Sequence, residues 1–104
     1  MRRIHIALAV DDLQRSIDDY RERLGAEAAV IVPGRYALWR TPEVNLSVTL
    51  RSGGAERLRH LGFEDDAADA VTEASDVNGI VWERFTAAQQ AREIEAIYGS
   101  AGSP

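Results

Sequence analysis

RIHIALAVDD, residues 3–12, and HLGFEDD, residues 60–66, are two variants of one pattern. In the first, Ile4, Ile6, Leu8 and Val10 alternate with His5, Ala7 and Ala9, the period-two signature of a half-buried strand. One face is aliphatic and suited to packing on a helix; the other carries a single imidazole among small residues that leave space around it. Asp11 and Asp12 then offer two helix N-caps. In the second stretch His60, Gly62 and Glu64 share one face, Leu61 and Phe63 the other, and Asp65 and Asp66 follow. These are the chain's only two histidines, and they lie 60 − 5 = 55 residues apart, the length of a supersecondary module.

Working outward from the first stretch, Leu13, Ile17, Tyr20 and Leu24 predict a helix over 12–24, with Gly25 as a left-handed C-cap. Strands are predicted over 28–32, 36–40 and 44–50, separated by Pro33-Gly34 and Thr41-Pro42. In the last of them Val44, Leu46, Val48 and Leu50 point toward the helix, and Asn45, Ser47 and Thr49 away from it. This is a complete βαβββ module over 1–52, closed by the linker-like Ser52-Gly53-Gly54.

The second module, 55–98, is incomplete. It has the His60 strand, a predicted helix over 66–77 with Ala67, Ala70, Val71 and Ala74 on its apolar side, an end near Asn78-Gly79, and a strand over 80–85. Residues 86–98 then have helical composition, with Ala91, Ile94 and Ile97 as the packing face and Gly99 as the stop. The small polar tail 99–104 is expected to be disordered. The expected fold is a single α+β domain: a mixed sheet curved into a cup, helices on its convex side and both histidines on the concave side.

Composition narrows the function. No apolar run approaches the ~20 residues of a membrane span, and Met-Arg-Arg-Ile-His leads into a strand without a signal-peptide pattern. Without cysteine there are no disulfides, thiolate metal sites or cysteine nucleophiles; without lysine there is no Schiff-base chemistry. A net charge of −5 argues against general nucleic-acid binding. No glycine-rich phosphate loop and no nucleophile elbow is present. A cytoplasmic small-molecule protein fits these bounds.

HIALAVDDLQRSIDDYRERLGAE at 5–27, YALWRTPEVNLSVTL at 36–50 and HLGFEDDAADAV at 60–71 resemble the vicinal oxygen chelate superfamily, which includes glyoxalase I, extradiol dioxygenases and the bleomycin and fosfomycin resistance proteins. The wording is most similar to the organoarsenical lyase and cadmium-induced protein branch. Where that branch has thiols after Thr, this chain has Ala87 and Ala88 behind Thr86, so thiol capture of arsenicals is not expected. The resemblance implies a divalent metal (iron, zinc, manganese or nickel) held by His5 and His60 with an acidic residue from the final strand, and a metal-dependent dioxygenase or lyase activity.

A final-strand Glu in a Gly-x-x-Trp-Glu-like ending is expected to be missing, because the chain turns helical after residue 85. Glu64 and Glu83 are the candidate replacement acids. Asn45, Ser47, Thr49 and Trp39 are the candidate ligand-binding residues, with Tyr36 and Trp82 as further walls. The alternative is a metal-free, catalytically silent binding or sequestering protein. An unpaired sheet edge in the incomplete module predicts a homodimer, with exchange of elements between chains left open.

Overall fold

A computed structural model of the chain describes residues 2–51, 58–75, 77 and 80–99. The predicted linker at 52–54, the Asn78-Gly79 stop and the tail from residue 100 onward lie outside the described residues. Seven strands and two helices follow in the order β1 (Arg2–Val10), α1 (Leu13–Leu24), β2 (Val30–Val32), β3 (Tyr36–Arg40), β4 (Val44–Leu50), β5 (Leu58–Asp65), β6 (Thr72–Ser75), β7 (Val81–Phe85) and α2 (Ala87–Tyr98). The strands form one mixed sheet of order β2-β3-β4-β1-β5-β7-β6, which does not close on itself.

The first module is as its sequence predicts. Asp12 caps α1 by accepting from the Arg15 N–H, and Gly25 ends it in the left-handed region at φ 65°. Leu13 and Ile17 drop into a core of Val10, Ala37, Trp39, Leu46 and Val48. Each such side chain, once buried, stabilises the fold by roughly 1.5–3 kcal/mol. The aliphatic faces of β1 and β4 therefore meet α1, and the faces bearing His5, Asn45, Ser47 and Thr49 turn the other way.

The two histidine strands lie at the centre and run antiparallel, with His5 opposite Gly62 and Ala7 opposite His60. Each has a parallel neighbour on its outer side: β4 beside β1 and β7 beside β5. The offset of the two sequence stretches is thus also an offset in space. Ala7 pairs with Ser47 in the first module, and its counterpart Gly62 pairs with Glu83 in the second.

The second module departs from expectation in its middle. Among the described residues of 66–77 no helix forms. Asp65 instead closes a tight turn, its carboxylate accepting from the Ala67 N–H at 3.0 Å and its carbonyl from the Ala68 N–H at 3.0 Å. Thr72–Ser75 then pairs antiparallel with β7 as the sheet's edge. The physical reason lies in the side chains: a stripe of alanines buries too little area to hold a helix on the sheet, whereas a strand there satisfies its backbone against β7.

α2 does form where composition predicts it, opened by a Thr86–Gln89 capping box. It lies on the face opposite α1, so the helices do not share one side of the sheet. Its inward residues are Gln90 and Ile94, with Tyr98 half-buried, while Ala91 and Ile97 are exposed. Ile94 packs on Val32, Tyr36 and Leu38, and Gln90 reaches the polar row of β4. That polar row fits the rotation of the helix, since an apolar residue at position 90 would leave one of the two amide hydrogens of buried Asn45 without its acceptor.

Candidate metal centre and cavity

β1 and β5 bring the two imidazoles together because both stand on the same face of adjacent strands. His5 Nε2 lies 2.9 Å from His60 Nε2, and His60 Nε2 lies 3.0 Å from Glu83 Oε1. One ligand atom from each of His5, His60 and Glu83 falls within 4.8 Å of the others. Phe85 meets the His5 ring edge-on at 4.9 Å. Gly62 lets β7 approach this closely: a Cβ there would collide with the Glu83 carbonyl oxygen.

His5 is buried, and a buried polar network fixes which of its nitrogens carries the proton. Glu64, also buried, accepts from Arg3 and makes two bonds with Arg40, at 2.6 and 2.8 Å. Being acceptor-only, its carboxylate takes the Asn45 amide N–H at 3.0 Å. The Asn45 carbonyl oxygen therefore faces His5 Nδ1 at 2.8 Å and accepts its proton, with the Asn45 backbone carbonyl a weaker second acceptor at 3.2 Å. Gln90 seals the set from α2, accepting from the Asn45 amide at 2.7 Å and donating to its oxygen at 3.0 Å. His5 thus carries its hydrogen on Nδ1 and offers a bare Nε2 toward His60 and Glu83.

The electrostatics agree with this arrangement. Burial pushes the His5 pKa down, against the bond to Asn45 that favours the charged ring. Burial alone would raise the Glu64 carboxyl, but the bonds from Arg40, Asn45 and Arg3 hold it below its ordinary value. The hydrogen bond from His60 holds Glu83 low in spite of its partial burial. The donor set is two imidazoles and one carboxylate.

The cluster forms one end of a cavity of about 340 Å³ between the sheet and α2. Tyr36, Ser47 and Thr49 line it with hydroxyl groups, and Phe85 and Ile94 with apolar surface. The Tyr36 hydroxyl is bonded to Ser47, and burial raises its pKa.

The sequence-derived candidates divide as follows. Glu83, and not Glu64, joins the histidines; Glu64 is committed to its two arginines. Ser47 and Thr49 line the cavity, whereas Asn45 lies beneath it as the partner of His5. Trp39 is not a pocket wall: it is fully buried on the opposite face, donating its indole N–H to the Ala26 carbonyl at 3.0 Å. Trp82 is also on that far face, stacked against Phe63. The acid expected to be missing is present. β7 stands beside β5 as β4 stands beside β1, so it takes the place of the second module's last strand, and the described residues of that module hold neither an internal helix nor a strand besides β5, β6 and β7. The signal was Gly79-Ile80-Val81-Trp82-Glu83, a Gly-x-x-Trp-Glu ending in plain view. Arg3, Arg40 and Gln90 had no such signal, since nothing local in sequence announces a partner 61, 24 or 45 positions away.

A family model described as the Glyoxalase/Bleomycin resistance protein/Dioxygenase superfamily matches residues 2–97. No curated protein matches the chain.

Proposed function

The chain belongs to the Glyoxalase/Bleomycin resistance protein/Dioxygenase superfamily, and on that basis we propose that it holds one divalent metal ion on His5, His60 and Glu83. A small molecule occupies the adjoining cavity. The observation that carries this is the convergence of three ligand atoms within 4.8 Å at the end of that cavity. Two imidazoles and a carboxylate fit iron, zinc, manganese or nickel, and leave coordination positions for a chelating ligand. Such an ion, when bound, supplies Lewis acidity toward two substrate oxygens, the chemistry of a metal-dependent dioxygenase or lyase.

The protein's own residues prepare the site. Asn45 holds the His5 ring in its plane with Nε2 free, the role that an outer partner has at most histidine metal sites. Tyr36 and Ser47 offer hydroxyls to ligand oxygens, while Phe85 and Ile94 exclude water from the carbon body.

One observation favours a second reading, a metal-free binding or sequestering protein. The 2.9 Å and 3.0 Å contacts let His5, His60 and Glu83 close on one another through a shared proton. Titration of metal-free protein with zinc and with ferrous ion separates the two. The metal reading expects one ion per chain, lost in His60→Ala and weakened at least ~10-fold in Glu83→Gln. Absence of stoichiometric binding in the wild-type protein sinks it in favour of the second.

Under either reading we place the protein in the cytoplasm as a homodimer. No helix among the described residues is long and apolar enough to cross a membrane. Support for association comes from Leu61, Phe63 and Trp82, which lie on a sheet face that no helix of the described residues covers.

A further inference from the structure

We infer that Arg51 and Arg59 form an oxyanion subsite in the same cavity, so that the ligand is a small organic anion bearing a carboxylate or phosphate group; the inference deepens the reading of this cavity as a ligand site and rests on it. The first observation is a β-bulge. Ala7 pairs with His60, but the next residue, Leu8, pairs with Leu58, so Arg59 is an extra residue without a partner on β1. In a regular strand Arg59 would point away from His60, toward the face that α1 covers. The bulge turns its side chain onto the histidine face, where Nη1 donates to Thr49 Oγ1 at 3.3 Å and the guanidinium lines the cavity. Re-aiming one side chain beside a site is a recurrent use of a bulge.

Arg51 comes from the opposite direction. It follows β4, its N–H anchored on the Val10 carbonyl at 2.9 Å, and its side chain lines the same cavity. Arg3, Arg21, Arg23, Arg40 and Arg84 each pair with a carboxylate. Among the described residues neither Arg51 nor Arg59 does.

The cavity lining therefore carries both signs: Arg59 reaches Thr49, while Glu83 stands beside His60 and Glu93 joins the lining from α2. The carboxylates repel an anion from the metal cluster unless a cation is held there, while the arginines attract it. A guanidinium presents a planar fork of donors that matches a carboxylate or phosphate with two parallel bonds. The apolar walls suit a ring or short carbon body. A ligand with an anionic group at one end and a pair of oxygens at the other would span the cavity.

The test uses metal-free protein at pH 8, titrated by calorimetry with benzoate, phenyl phosphate and the neutral benzamide. At least one anion is expected to bind about tenfold tighter than benzamide. That preference is expected to fall with added salt and vanish in the Arg51→Gln/Arg59→Gln double variant. The tighter of the two anions identifies the group as carboxylate or phosphate. Equal binding of all three probes by wild-type protein overturns the subsite without any variant, as does a preference that survives the double substitution. Zinc titration of the same proteins keeps the two ideas apart. Failure of wild-type protein to bind zinc, with the anion preference intact, removes the metal and leaves the subsite; zinc binding without anion preference does the reverse.

Discussion

At the scale of the residue, the identity of one acid at the floor of the site governs a nitrogen two bonds away. Glu64 is the only member of its network that cannot donate, so it imposes direction on Asn45 and through it on His5. Glu64→Gln can donate as well as accept, which releases that direction and leaves Arg3 and Arg40 beside a neutral group. Breaking a buried ion pair from one side costs about 3–5 kcal/mol, and loss of an outer partner weakens metal binding about 10–100-fold. Urea unfolding and zinc titration of Glu64→Gln check both figures; unchanged zinc affinity would detach Glu64 from the metal site. The pH dependence has a definite sign. Glu64 has a lowered pKa in the fold, so its contribution is present above ~4.3 and is lost as pH falls through the lower folded-state value. His5 is also lowered, so the unfolded chain takes up its proton first and stability begins to decline below ~6.5. Unfolding free energy is expected to fall continuously from about pH 6.5 to pH 3, with a shallower acid limb in Glu64→Gln.

Between elements, the narrowest tolerance is the β5–β7 contact. Gly62→Ala pushes its new methyl group into the Glu83 carbonyl, and β7 must move away from β5 to admit it. Overpacking of this kind costs about 1–3 kcal/mol. Because the strand that moves carries Glu83, zinc affinity is expected to fall along with the melting temperature; a destabilised variant with full affinity would show that Glu83 is held from elsewhere. The same contact shows what a sequence can and cannot tell. α1, β3, β4 and α2 were legible because each is decided locally, by a cap, a stop and a clear period. The second module's middle was not, because Asp65 and Asp66 cap a turn as readily as a helix. The choice between them lay in how little surface Ala67, Ala70 and Ala74 could bury. The pairing of His5 with His60 was legible from the repeat. The place of Glu83 beside the histidines was obscured by the assumption that a final strand must come after residue 85, whereas β7 already stands in that place in the sheet. Arg59 was hidden for a different reason: a bulge reverses the side on which an alternating pattern would put it.

Over the whole molecule, no helix of the described residues covers the outer face of the β5–β7 half of the sheet. Phe63 and Trp82 stack there at 5.7 Å, and Arg2 covers Phe63 at 4.5 Å. Ile4 nearby is 40% exposed. A second copy of the chain that covers this face would give a mass near twice 11.5 kDa by light scattering, and Phe63→Glu is expected to shift it toward the monomer. A wild-type monomer at high concentration would reject the dimer. The departure from internal symmetry also has an orientational consequence. Two matched modules would be related by a two-fold rotation, so a ligand seated between the histidines and the same ligand turned by half a turn would meet alike surroundings. Here α2 lies over one flank, while the other ends in the short edge strand β6. The two orientations are thus no longer equivalent, and an unsymmetrical ligand entering this cavity would meet a helix on one side and a strand edge on the other.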